Sequence, residues 1–186
     1  GRPTDNTATI LEHIADARRD RIELLVFPEM AVPGYLLGDE WERHAFLREC
    51  EACTDEIRRA AERLVVVFGS VGIDWDRKNE DGRVRKYNAV FVAEDREFRG
   101  PAAGPYPYAI QTLLPNYGVF DEDRYFVAGD DRGALWEING VFAGVSVCED
   151  IWVADGPPAD QARGGADILL NVNGSPFHVG KAAERE

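Results

Sequence analysis

Gly140-Val141-Phe142-Ala143-Gly144-Val145-Ser146-Val147-Cys148-Glu149-Asp150-Ile151-Trp152 reads as a short apolar strand that runs into a cysteine and then into acidic residues. Acids at such a point are how a helix commonly begins, so backbone N–H groups of a new turn are expected beside the Cys148 thiol. Those donors favour thiolate over thiol and would serve an oxyanion formed next to it. Taken alone, a free cysteine is more often a small packed hydrophobe. The stretches around it decide against that.

Upstream, residues 134–138 and 141–147 flank Asn139-Gly140, a two-residue hairpin signal. Downstream, residues 159–166 read as a short helix ending at Gly164-Gly165. Residues 167–173 then form an apolar strand, stopped by Gly174-Ser175-Pro176, and a helix begins at Lys181. In the N-terminal half, residues 6–19 have helical spacing, with Ile10, Leu11 and Ile14 on one face. Residues 24–27 are a continuous apolar run, expected to be a strand covered on both faces, and it ends at Pro28-Glu29. Residues 39–63 read as one or two helices with Phe46, Leu47, Ile57 and Ala61 buried. Cys50 and Cys53 lie among them as two small packed residues, since no second pair or histidine completes a zinc or redox site. Strands follow at 64–72 and 87–93, with a turn at Asn79-Glu80-Asp81-Gly82 between them. The proline-rich residues 100–107 are a loop, 108–115 return extended, and 116–126 form an aromatic and acidic loop suited to lining a site.

Strands alternating with helices indicate an α/β layered domain, in which sites gather beyond the carboxyl ends of strands. Glu29, Cys148 and Ser175 each follow such an end and are expected to meet. Lys+Arg number 21 and Asp+Glu 34, a formal charge of −13, which argues against nucleic acid or an anionic membrane surface as partner. No apolar run approaches a membrane span, no signal peptide opens the chain, and three cysteines suit a reducing cytoplasm.

Phe27-Pro28-Glu29, Leu114-Pro115-Asn116-Tyr117 and Val147-Cys148-Glu149-Asp150-Ile151-Trp152, in this order, resemble the nitrilase (carbon–nitrogen hydrolase) superfamily. Val32-Pro33-Gly34-Tyr35-Leu36-Leu37-Gly38-Asp39 and residues 114–126 look most like its branch of glutaminase domains of glutamine-dependent NAD synthetase. Asn173-Gly174-Ser175-Pro176-Phe177-His178, with Gly180-Lys181 and Glu184-Arg185-Glu186, fits that branch too. The resemblance covers nearly the whole chain. It implies an α-β-β-α sandwich with a Glu-Lys-Cys triad, in which Cys148 is the nucleophile and Glu29 the general base. The family lysine stands four residues before the proline of Leu-Pro-Asn-Tyr, and here that position is Gln111. A neutral amide replaces a fixed cation, and losing one good oxyanion donor costs about 3 kcal/mol of transition-state stabilisation. Either Gln111 is an introduced substitution that disables an otherwise intact enzyme, or it marks a natural variant with weak or no activity. The intact Glu29 and Cys148 favour the first. Lys86 and Lys181 are read as exposed, solvated lysines rather than spatial substitutes.

The resemblance places Tyr117, Glu122, Trp152 and Ser175 around an L-glutamine substrate. Glu122 would take the α-ammonium with help from Ser175, and the two aromatics would wall the aliphatic stem. It implies a single glutaminase-like domain over 1–186, lacking the family's first strand and C-terminal part, with the synthetase domain absent. It also implies association into homo-oligomers and a synthetase domain in the same or a partner chain. No cofactor or metal is expected for the glutaminase step; ATP and a pyridine dinucleotide belong only to a synthetase domain. Alternatives are an ω-amidase, carbamoylase or nitrilase of the same superfamily, and a non-catalytic family member. A flavodoxin-like binding domain fits poorly, because no phosphate-cradling glycine loop is present.

Overall fold

The computed structural model describes residues 1–101, 104–176 and 178–185, without the side chains of Glu184 and Arg185. Phe177 and Glu186 of the last motif, and Ala102 and Ala103 of the proline-rich loop, lie outside the described residues.

Helix α1 (Pro3–Arg19) opens with Pro3 and with Asp5 in its first turn and closes on Arg18 and Arg19, so acid and base stand at the ends that favour them. Its Ile10, Ile14 and Ala17 face inward. Strand β1 (Leu24–Val26) follows. A single 3-10 turn (Gly38–Glu42) then leads into α2 (His44–Ala60), which buries Phe46, Leu47, Cys50, Cys53 and Ile57. The cysteine pair therefore packs at helical spacing, and burial pushes the Cys50 thiol up to about 12. Strands β2 (Val65–Lys78) and β3 (Val84–Glu94) form a long antiparallel hairpin whose turn holds Asn79 to Gly82, as the composition of that stretch indicates. Short strands β4 (Glu97–Phe98) and β5 (Tyr108–Ile110) both pair with β3.

The second sheet has the order β6-β7-β8, from β6 (Leu135–Ile138), β7 (Val141–Val147) and β8 (Ile168–Val172). Asn139 and Gly140 both take positive φ, 51° and 77°, the backbone that a tight hairpin turn needs and that Asn-Gly supplies at little cost. Helix α3 (Pro157–Arg163) packs on β7, and α4 (Lys181–Arg185) ends the described chain.

The two sheets face each other through Val65, Val67, Val90 and Val92 on one side and Trp136, Val145, Val147 and Val172 on the other. The opposite face of the first sheet packs on α1 and α2 through Phe68, Phe91, Ile14 and Ile57. The layers run helix, sheet, sheet, helix, with mixed strand directions: the α-β-β-α sandwich. One expectation fails. Strand β1 is an edge strand paired only with β2 among the described residues, and Val26 is 43% exposed. An unbroken apolar run reports composition, and cannot report whether a second layer covers both faces.

Strand direction gathers the reactive residues. β1 runs parallel to β2, and β7 parallel to β8 with Val147 opposite Val172. The residues just after β1, β7 and β8 therefore emerge at one end of the sandwich.

Candidate active site

The strand β7 stops at Val147, and the backbone turns sharply: Cys148 has φ +43° and opens a single 3-10 turn, Cys148–Ile151. A side-chain-bearing residue in the left-handed region costs about 1–3 kcal/mol, and such strain concentrates at functional turns. The expected helix after the cysteine is only this one turn. It is held by Asp150, which is buried: one oxygen accepts from Val147 N (3.1 Å), the other from Thr112 N (3.0 Å) and Leu113 N (2.8 Å). Asp150 thus ties the segment after β5 to the turn that presents Cys148. Burial raises its pKa to about 6 against the pull of those three N–H donors.

Cys148 Sγ lies 3.2 Å from Ser175 Oγ, and the Glu29 carboxyl group lies beside the thiol. Glu29 Oε2 accepts from Gly174 N at 2.8 Å, and Oε1 accepts from Asn88 Nδ2 at 2.7 Å. The three residues that follow strand ends therefore meet, as the sequence implied. The loop after β8 is shaped by its own asparagines: Asn173 Oδ1 accepts from Ser175 N (2.7 Å), and Asn171 Nδ2 donates to Ser146 Oγ (3.1 Å) and Cys148 O (3.4 Å). Glu29 reaches this position because its backbone lies directly on β2 at Gly69. A Cβ there would stand 2.6 Å from Glu29 Cα, so only glycine allows the approach.

Burial raises the Glu29 pKa, opposed by the donors from Asn88, Cys148 and Gly174. Burial, and then the Glu29 charge, push the Cys148 thiol up to about 12, opposed by Ser175 and Gly174. The resting pair is therefore a thiol beside a carboxyl group, not a preformed thiolate. Such a thiol could act as a nucleophile only as its proton passes to a base, and Glu29 is the carboxyl group placed to take it.

Gln111 is fully buried, and its Oε1 accepts from the same Asn88 Nδ2 at 2.9 Å. Asn88 was not singled out by the sequence. Its signal is faint: a polar residue at an inward position of an apolar strand, in step with Val90 and Val92. Lys86, two residues earlier on the same face, is 1% exposed and pairs with Glu42 at 3.4 Å. The expectation of an exposed, solvated lysine is thus wrong. The chain covers this position with a layer that a charged residue in a polar stretch does not advertise. Lys181 has its ammonium 5.1 Å from the Trp152 ring centroid.

Glu122 is also buried. Tyr35 OH donates to its Oε1 at 2.8 Å, while Oε2 has no partner among the described residues. Burial lifts its pKa to about 7, with the Glu29 charge adding to the rise. Tyr35, likewise missed as a site residue, sits between the two carboxylates; burial and then their charges push its hydroxyl pKa up. Its ring meets Phe120 edge-on at 5.9 Å, and Phe120 meets Tyr117 at 5.9 Å, a row of aromatics at the site. Tyr117 is 58% exposed and donates its hydroxyl to Glu149 at 2.7 Å. Trp152 is 43% exposed, and the contact found for its ring is Lys181, not the Glu29–Cys148–Ser175 group. Among the described residues no group of three or more His, Cys, Asp and Glu side chains is placed to hold a metal ion. No helix among them is long and apolar enough to cross a membrane.

The arrangement is a thiol on a strained turn, a buried carboxyl group to take its proton, amide donors nearby and a second carboxylate with a free oxygen. Comparisons with known proteins show the family to which the chain belongs. The family model for carbon–nitrogen hydrolases matches residues 2–185. The chain is 37% identical over 188 residues to the glutamine-dependent NAD(+) synthetase of Xanthomonas campestris, covering all of this chain and 31% of that protein. It is 35% identical over 173 residues to the enzyme of that name from Aquifex aeolicus, covering 93% of this chain and 28% of that one. In structure it matches the glutamine-dependent NAD+ synthetase of Acinetobacter baumannii with TM-score 0.82 and 31% identity, over 98% of this chain and 32% of that one. The chain spans about a third of the length of these relatives.

Proposed function

The chain belongs to the carbon–nitrogen hydrolase family, and from that premise we propose that it cleaves the side-chain amide of L-glutamine to glutamate and ammonia. The observation that carries the proposal is the meeting of Cys148, Glu29 and Ser175 at one end of the sandwich, with Cys148 on a turn of positive φ. The Cys148 sulfur attacks the amide carbon while its proton passes to Glu29. The carbon–nitrogen bond breaks as Glu29 returns that proton to the leaving nitrogen, giving ammonia and a thioester. Water, deprotonated by Glu29, then attacks the thioester, and the thiol is restored.

Preference for an α-amino acid comes from Glu122, whose free Oε2 is a buried acceptor suited to an ammonium group, with Ser175 beside the thiol. Tyr117 and Trp152 would close on the aliphatic stem from the exposed side when ligand is present. In this reading Gln111 occupies the place of the family lysine and lowers the rate. The reaction uses no cofactor. Ammonia would serve NAD synthesis in a synthetase unit of the same or a partner chain, where ATP and a pyridine dinucleotide would be used. A homo-oligomer in the cytoplasm fits that role.

The test is ammonia release from L-glutamine by the chain with Gln111, by Gln111→Lys and by Cys148→Ala. Gln111→Lys should be faster than the Gln111 chain by about 10²-fold, and Cys148→Ala should be silent. If Gln111→Lys ignores glutamine but cleaves another amide or a nitrile, the substrate reading is wrong. If neither it nor the Gln111 chain reacts with any amide, the chain is a non-catalytic member.

A further inference from the structure

β6 begins at Leu135, opposite Gly144, and beyond that point β7 runs on to Val147 with no strand on its β6 side among the described residues. A cavity of about 270 Å³ opens at this place. Val145, Trp136 and Ala134 line it from the second sheet, and Ala109, Ile110 and Thr112 line it from β5 and the residues after it. Glu29, Cys148 and Ser175 do not line it, so it is separate from the site described above. Ala109, Trp136 and Val145 are buried members of the core between the sheets, and the cavity is the open edge of that core. Facing sheets stand about 10 Å apart, which leaves room for one flat ring between them.

One polar atom of the wall is uncommitted. Gln161, on α3, is 2% exposed, and its amide lies 2.8 Å from Val145 O. A carbonyl only accepts, so the atom facing it is Nε2, and Oε1 is the other. Oε1 has no partner among the described residues. It lies against the β7 backbone at Gly144, where a Cβ would stand 2.6 Å from it, so glycine makes the room it occupies. A buried acceptor without a donor is costly, and a guest that supplies the donor relieves that cost. The charged side chains on the wall are Arg77 and Arg85 against Asp130 and Asp131, two of each sign, together with Asp150. The Asp150 oxygens already accept from the N–H groups of Thr112, Leu113 and Val147. The wall therefore favours a neutral guest over an ion.

We propose that this cavity is a second ligand site, taking a small, flat, uncharged molecule that is largely apolar and carries one N–H or O–H donor for Gln161 Oε1. Its ring lies against Trp136 and Val145, and its donor meets the acceptor that the fold leaves open. Thr112 and Asp150 are on the same wall, so occupancy is felt where Asp150 holds the segment after β5 to the turn at Cys148. None of this depends on the chemistry of Cys148.

Indole is the probe. Titration calorimetry should give one site with a dissociation constant of about 1 mM or tighter. Indene, of the same shape without the N–H, should bind about tenfold more weakly. Gln161→Met, which removes the acceptor, should erase that preference. Gln161 also ties Val145, so a second variant covers the case in which the methionine variant folds poorly. Ala134→Leu fills the cavity without removing a side-chain hydrogen bond, and it should abolish binding while the thermal unfolding midpoint stays level or rises. Hydrogen exchange at Thr112 and Leu113 should slow when indole binds, since the guest covers the segment that Asp150 holds. Equal affinity for indole and indene in the unsubstituted chain overturns the donor requirement and the site with it. Binding that survives Ala134→Leu, or that leaves exchange at Thr112 and Leu113 unchanged, places indole elsewhere and overturns the site too, as does the absence of binding.

Discussion

At the scale of single residues, the site is governed by carboxyl groups that burial keeps near neutrality. Glu122 titrates at about 7 and has one oxygen without a partner among the described residues. An α-ammonium pairs with the ionised form only. Affinity for glutamine should therefore rise as pH increases toward 7, by up to about tenfold per pH unit, and level off above it. Glu122→Gln should weaken binding and flatten that dependence, measured by titration calorimetry on Cys148→Ala so that no turnover intervenes. A flat profile in the native protein would remove Glu122 from the ammonium site. Burial raises the Glu29 pKa too, and Glu29 lies beside the Cys148 thiol, so on the proposed reading of that thiol as nucleophile its ionisation should appear in kcat rather than in KM.

At the scale of elements, two residues set how strand ends meet. Gly69 lets the backbone of Glu29 lie on β2, where a methyl group would meet Glu29 Cα at 2.6 Å. Gly69→Ala should cost about 1–3 kcal/mol in urea unfolding and remove activity even at temperatures where the variant is folded, because Glu29 is displaced. Asp150 gathers three N–H groups from two separate stretches of chain. Asp150→Asn puts an amide N–H against one of them, so about 1–3 kcal/mol should be lost. Hydrogen exchange at Thr112, Leu113 and Val147 should quicken together, since one side chain holds all three; independent changes would show that the tie is not shared.

At the scale of the whole molecule, buried acids give stability an uncommon pH dependence. Glu122 rises from 4.5 to about 7 and Asp150 from 3.8 to about 6 on folding, so the native state binds protons more tightly than the unfolded chain. Stability must then fall as pH increases through that window, by on the order of 3 kcal/mol for Glu122 alone between pH 4 and 8. Asp55 and Asp74 behave oppositely. Net, the hydrogen bonds from Arg58 and Arg59, and from Tyr106, hold their pKa values low against the penalty of burial, so their contribution is lost as pH falls below about 4. Urea midpoints should be highest near pH 5 and lower at pH 8, and Glu122→Gln should flatten the alkaline side of that curve.

The chemistry lay in local patterns. An apolar run ending in Cys148, another ending in Pro28-Glu29, a third followed by Ser175, and Asn139-Gly140 between two strands are each legible from neighbours in sequence, because strand period and turn conformation are local. Exposure was not legible: the charge of Lys86 suggested solvent and the apolar run at 24–27 suggested cover, yet Lys86 is buried and Val26 is open. Asn88, Tyr35 and Gly69 were silent for the same reason, since each matters only through a partner far along the chain. Sequence by itself determined the strand–turn signals and offered Cys148, Glu29 and Gln111 as the groups to look for. Only the tertiary structure decided which carboxyl groups lose their water and which buried side chains share hydrogen bonds, because desolvation and hydrogen-bond partners depend on distant segments packed together.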